Sequence, residues 1–226
     1  NFTPTRAFAK EIIFGGTPSL SRQGLGSIAT LMLNVAAGAF GDAAIAGMSI
    51  VTRISFFTYA MVIGLGQGFQ PLCGFCYGAK LYGRVKEAFF FCIKCGTVFL
   101  AVCALIGFIF STSIISIFRD DAAVVAVGSV ALRWQVLSFP LVASIVLTNM
   151  LMQTIRKPVR ANIVASARSG LFFIPLIFIL PYFFGLLGVE MCQMWADCCS
   201  FAVAVPIAWS AFRDMRREQM ELGKSH

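Results

Sequence analysis

The spacing of the charged residues constrains this chain more than any other feature of it. Asp, Glu, Lys and Arg make up 12% of the 226 residues and gather in short islands. Between the islands lie five uncharged stretches, Gln23 to Gly41, Ile54 to Ala79, Cys95 to Phe118, Trp134 to Ile155 and Gly170 to Val189. A sixth, Met191 to Phe212, is interrupted by Asp197 alone. A helix crossing a bilayer needs about 20 mostly apolar residues, so each stretch is long enough to span. With 58% hydrophobic residues and a mean hydropathy of +0.84, the chain does not have the composition of a water-facing globule.

Strands are the rival reading, because Phe, Val and Ile are abundant. A membrane-barrel strand, however, is about 10 residues of alternating polarity, whereas these runs are continuous and twice as long. An unclosed sheet in lipid would leave backbone groups unpaired, at several kcal/mol each. The expected fold is therefore all-α, a polytopic six-transmembrane-helix bundle, with Arg22 allowed inside the first span. The spans are placed near 15–40, 43–79, 87–118, 122–154, 158–182 and 188–212, in one lobe over residues 1–226 with 213–226 as a cytoplasmic tail.

An even number of spans returns both ends to one side, and the cations say which. The connections Lys80 to Lys94 and Arg156 to Arg168 are basic, as are the ends carrying Arg6, Lys10, Arg213, Arg216 and Arg217. The connections at Gly41-Asp42, Arg119-Asp120-Asp121 and Phe183 to Glu190 hold almost no Lys or Arg. The positive-inside rule then places both termini in the cytoplasm and the chain in a bacterial-type inner or plasma membrane, in contact with its lipids. The same asymmetry accounts for the net charge of +8, and with no aromatic-interleaved basic run a nucleic-acid partner is not expected.

The start, Asn1-Phe2-Thr3-Pro4, lacks an initiator Met and the pattern of a signal peptide, so the chain is expected to begin in mid-protein. Residues Arg6 to Phe14 set Phe8, Ile12 and Ile13 against Arg6, Lys10 and Glu11, which suits a short helix on the inner surface leading into the first span.

The second span is the most informative. Gly64 and Gly68 are expected to admit a close neighbour, and Pro71 removes a backbone hydrogen bond and invites a bend. Its end, Gln70-Pro-Leu-Cys-Gly-Phe-Cys-Tyr-Gly-Ala-Lys80 followed by Arg84-Val-Lys86, resembles the C-terminal-lobe signature of the MATE (multidrug and toxic compound extrusion) transporters. Further matches are Phe14-Gly-Gly-Thr-Pro-Ser19, Gly41-Asp42-Ala-Ala-Ile-Ala46 and Trp195-Ala-Asp197, so the resemblance covers almost the whole chain. It departs at Cys76, where the family usually carries Asn. The resemblance implies one lobe of a twelve-helix antiporter that exchanges Na+ or H+ for cationic, often aromatic compounds by alternating access. The partner would be an N-terminal lobe of the same protein, which this sequence does not contain.

Ionisable residues inside spans are costly, and each is a functional candidate. Asp197 is the one acid, and a carboxylate at that depth suits Na+ or a proton. Arg22, Arg53 and Arg133 lie two or three turns inside their spans, and at least one is expected to pair with Asp197. A central cavity facing the other lobe is expected to be lined by Asn34, Arg53, Gln67 and Gln70, with Asn149 and Gln153 as further intramembrane polar groups. Cys73-x-x-Cys76 and Cys92-x-x-Cys95 have the spacing of a zinc ribbon, but they lie in Phe-rich apolar helix, where Cys behaves as a small hydrophobe. No metal, cofactor or enzymatic activity is expected: the spans hold no His, and neither a Ser, His and Asp constellation nor a nucleotide loop is present. Two alternatives stay open. A lipid-linked oligosaccharide flippase of related fold would suit arginines in the cavity, and a non-transporting membrane scaffold would suit a protein of six spans.

Overall fold

The computed structural model describes residues 6–224, with side chains described for residues 16, 20 and 23–221. Among these residues there is no strand. The elements are α1 (Arg6–Gly38), α2 (Asp42–Gly78), α3 (Tyr82–Ile109), α4 (Ser111–Phe118), α5 (Ala122–Thr154), α6 (Pro158–Ser166), a π-helical turn (Ala167–Leu171), α7 (Phe173–Phe184) and α8 (Leu186–Lys224). They form six rods, because α3 and α4 are one rod broken at Phe110, and α6, the π turn and α7 are another. Five rods are long and apolar enough to cross a membrane among the described residues, and α1 completes the bundle. Residues Arg6 to Phe14, expected as a separate surface helix, continue into the first span as one helix backbone. Their side chains, most of the Phe14 to Ser19 motif, Arg22 and His226 lie outside the described residues.

Helix α5 is the axis. More than half of its most apolar window is buried, against a third or less for the other spans. It packs against α2, α3, α6 and α8, and α1 closes the ring between α2 and the α6–α7 rod. The outer surface is apolar: Phe57, Phe75, Ile117 and Tyr182 are each more than 70% exposed, which is tenable only against lipid or another protein. Several hydroxyls within the rods are satisfied locally, as where Thr52 donates to the Met48 carbonyl and Ser200 to that of Ala196.

Local chemistry sets the rod ends. Asp121 caps α5 by accepting from the Ala123 amide at 2.9 Å, and Pro158 begins α6, where its missing N–H costs nothing. The ends of α2 and α5 are built alike. Lys80 and Arg156 each take a left-handed backbone, with φ of 60° and 55°. Each is flanked by the same two bonds, Lys80 N to Tyr77 O with Leu81 N to Cys76 O, and Arg156 N to Gln153 O with Lys157 N to Met152 O. These are Schellman turns, with a cation where glycine is the usual occupant.

Small residues set the distance between rods. A Cβ on Gly47 of α2 would stand 3.1 Å from the Gly128 amide nitrogen of α5, and one on Gly96 of α3 would stand 3.2 Å from Cβ of Ala143. The close approach expected at Gly64 and Gly68 falls instead at Gly66, where a Cβ would run into the Met150 sulfur. Two residues turn a helix by about 200°, so Gly64 and Gly68 lie on the outer face with open space around them. Pro71 sits on that face too, within an α2 that remains helical from Asp42 to Gly78.

Candidate functional site

The Asp197 side chain is fully buried in α8, and four donors converge on its carboxylate. Gln193, one turn earlier in α8, donates to Oδ1 at 3.0 Å, and Arg168 of the π turn donates its Nε to the same oxygen at 2.7 Å. The Ser138 hydroxyl of α5 stands 2.8 Å from Oδ2 and 2.9 Å from the Gln135 carbonyl. A single proton serves one of these acceptors, and the charged one attracts it more strongly. Gln135 adds a longer contact to Oδ2 at 3.5 Å and donates to the Tyr59 hydroxyl of α2 at 2.9 Å. Tyr59 closes the group from beneath, its ring centre 4.5 Å from the Arg168 guanidinium carbon.

The group thus draws on α2, α5, the π turn and α8. The π turn is what admits Arg168: the Phe172 amide reaches back five residues to the Ala167 carbonyl, and Gly170 lets Leu25 of α1 come against the backbone. The additional residue per turn rotates Arg168 relative to α7 and turns its charge inward.

A cavity of about 340 Å³ lies against this group, bounded by α1, α2, α5, the π turn and α8. Thr30, Thr52, Ser55, Tyr59, Gln135 and Gln193 line it, together with Arg168. Asp197 does not: among the described residues Arg168, Gln193 and, by its longer contact, Gln135 touch both the carboxylate and the cavity. Ser55 is buried in this wall, and its hydroxyl has no protein partner among the described residues.

The residues singled out from sequence fall in three places. Asp197 is at the centre of the buried group. Its ion-pair partner among the described residues is Arg168, and neither Arg53 nor Arg133 reaches it. Arg133 donates its Nε to Ser111 at 2.8 Å and lies over Phe108, Arg53 is exposed, and the Arg22 side chain is outside the described residues. Asn34, Arg53 and Gln67 are exposed and Gln70 is half-buried, on the outer faces of α1 and α2, and none makes a side-chain hydrogen bond among the described residues. Asn149 and Gln153 form a separate anchor, in which Gln153 donates to Asn149 Oδ1 and Asn149 donates to the Ala161 carbonyl, both at 2.7 Å. That anchor lies about 16 Å along α5 from Ser138, at 1.5 Å per residue.

Sequence reasoning missed Tyr59, Gln135, Ser138, Arg168 and Gln193. Two signals were present. Gln193 is one helical turn before the acid that interrupts the stretch Met191 to Phe212, and Arg168 is separated from Arg160 by seven uncharged residues, too far to share its connection.

The MatE family model matches residues 18–179 of the chain. The multidrug export protein MepA of Staphylococcus haemolyticus is 28% identical over 207 residues, covering 92% of this chain and 45% of that protein. MepA of Staphylococcus aureus strain N315 is likewise 28% identical, over 91% of this chain and 45% of its own length. Among solved structures, an outward-facing multidrug resistance MATE family transporter of the MOP superfamily superposes with a TM-score of 0.87 at 20% identity, over 96% of this chain and 49% of that one. The Vibrio cholerae MATE transporter VcmN in its bent form gives 0.86 at 17% identity, over 94% and 48%. The chain spans about half the length of the curated relatives it matches.

Proposed function

The chain belongs to the MatE family, and from that premise we propose that it is one lobe of a secondary active multidrug antiporter, exporting cationic and aromatic compounds against inward flow of Na+ or H+. One observation carries the mechanism: a fully buried carboxylate, Asp197, is separated from a lobe cavity by the arginine that neutralises it. A cation or proton reaching Asp197 competes with Arg168 for Oδ1. Once the carboxylate is neutralised, Arg168 is released toward the cavity and the Tyr59 ring, and the π turn is the backbone element free to follow it. Binding at Asp197 thereby changes both the charge and the shape of the cavity wall, which is the differential interaction that alternating access requires.

The second lobe of the same protein is the partner this reading needs. The outer face of α2 suits one: Arg53, Phe57, Ala60, Gly64, Gln67 and Pro71 recur every three or four residues and are all exposed. A seam of small and polar residues packs against another helix rather than against acyl chains. Asn34 on the neighbouring α1 and Gln70 border the same face. The protein is a multi-pass membrane protein, and we place its basic connections, hence both ends of this chain, on the cytoplasmic side of a bacterial-type membrane, with no resident cofactor.

The test uses the full-length protein in proteoliposomes with an imposed Na+ or H+ gradient and a fluorescent cationic dye. Gradient-driven dye flux, lost in Asp197→Asn, is the expected result. A second reading, a flippase for anionic lipid-linked head groups, is favoured by one fact: among the described residues the charged one that lines the cavity is Arg168, while Asp197 is screened from it. Flipping of a lipid-linked sugar without ion-driven dye flux would establish that reading and remove the first.

A further inference from the structure

A second concavity, of about 530 Å³, lies between the first turns of α3 and the last turns of α8. It is across α5 from α1 and from the polar cavity, since α1 closes the opposite side of the ring. Its upper wall carries Lys86, Arg213 and Arg216, and its lower wall carries Phe90, Trp209 and Phe212. The three cations are exposed, and none makes an ion pair among the described residues. None of the acids on the same stretch of α8 lines the concavity: Asp214 holds Lys157 and Arg160 at 2.7 and 3.2 Å, Glu218 accepts at 2.7 Å from the hydroxyl of Tyr82 at the concavity's edge, and Glu221 is exposed. The Asp214 pairs offset its charge with two cations, and the three contacts together tie α8 to its neighbours.

We infer that this groove binds the head group of an anionic phospholipid from the leaflet on the basic side of the bundle, by Lys86, Arg213 and Arg216 around its phosphate. Guanidinium groups suit phosphate oxygens in bidentate fashion, and basic pockets between spans on this side of a membrane are where acidic head groups bind. The lower wall decides for a lipid over a soluble anion. Phe90 and Phe212 are stacked, with ring centres 5.9 Å apart, and Trp209 is 74% exposed below the cations, so the floor is apolar and open sideways. Trp at that height marks the head-group boundary, and the exposed apolar face of α3 below it, through Phe91 and Val98, offers a path for an acyl chain. A free phosphate would gain nothing from these walls.

The full-length protein in detergent, titrated with phosphatidylglycerol or phosphatidylcholine and read by native mass spectrometry, tests the inference. Phosphatidylglycerol is expected to be retained in preference, with affinity falling about fivefold for each cation neutralised in the series Lys86→Gln, Arg213→Gln and Arg216→Gln. Arg213→Lys with Arg216→Lys, which keeps the charge, retains the lipid. Lys86→Gln alone is an exposed change that leaves folding intact, so the fivefold loss is readable even if the triple variant does not fold. Equal retention of the two lipids, a Lys86→Gln variant that binds phosphatidylglycerol undiminished, or displacement of the lipid by millimolar inorganic phosphate would each overturn the inference.

Discussion

Arg168 Nε stands 2.7 Å from Asp197 Oδ1, and no other acid reaches that arginine among the described residues. Removing one partner strands the other. Asp197→Asn is expected to abolish ion-driven dye flux and to cost the full-length protein about 3–5 kcal/mol of stability, the usual penalty for leaving a buried charge uncompensated. Thermal unfolding in detergent measures the second effect. The double variant Asp197→Asn with Arg168→Gln should recover most of the stability and none of the flux, which separates a coupling role from a merely structural one. Stability recovered together with flux would assign coupling elsewhere.

Tyr59 meets the cluster through its hydroxyl and through its ring, and the two are separable. Tyr59→Phe removes the group that accepts from Gln135 but keeps the ring beneath Arg168. It is expected to cost about 1 kcal/mol. Tyr59→Ala also opens a cavity and is expected to cost about 3–5 kcal/mol, in the range of aromatic truncations. Similar melting shifts for the two variants would show that the ring contributes little.

Gly66 and Gly64 differ by half a helical turn in what surrounds them. Gly66→Ala forces Met150 aside and is expected to destabilise the lobe by about 1–3 kcal/mol, as overpacking does. Gly64→Ala meets open space within the lobe. If the other lobe packs on this face of α2, Gly64→Ala leaves folding unchanged and impairs transport, measured as dye flux against melting temperature.

Asn149→Leu is a control on the polar interior. It removes the side-chain donor to the Ala161 carbonyl and the acceptor of Gln153, and is expected to cost about 1–3 kcal/mol. The ion dependence of any remaining flux should be unchanged. A shifted ion dependence would draw this anchor into the coupling site.

Lys80 carries a left-handed backbone that glycine adopts freely, so Lys80→Gly is expected to raise stability by about 0.5–1 kcal/mol. Chemical denaturation in mixed micelles checks the sign. A loss of stability would mean that the Lys80 side chain is worth more than the strain it imposes.

The rods were legible because charge in a membrane is confined to rod ends, so the islands around Lys80, Arg119 and Arg156 mark the turns. Asp197 was legible for the same reason, as an acid where acids are expensive. What surrounds it was not, because Tyr59, Gln135 and Ser138 belong to different rods, and their meeting depends on how each rod is rotated. Rotation is set by contacts such as Gly47 against Gly128 and Gly66 against Met150, which no periodicity in one rod reveals. Arg168 was assigned to a connection because a π turn has no clear signature in composition. Gly64 and Gly68 drew attention as glycines, although the neighbour that matters within the lobe is at Gly66.

The five-residue reach from Phe172 to Ala167 has an evolutionary corollary. Such a turn is an α-helix carrying one surplus residue, and removing that residue would swing α6 by about 100° relative to α7. Substitution can change which side chain sits at position 168, but a single-codon deletion in this turn would point it elsewhere altogether. Among related sequences, gain and loss of one residue at this turn should therefore track changes in cargo or coupling more closely than point changes nearby.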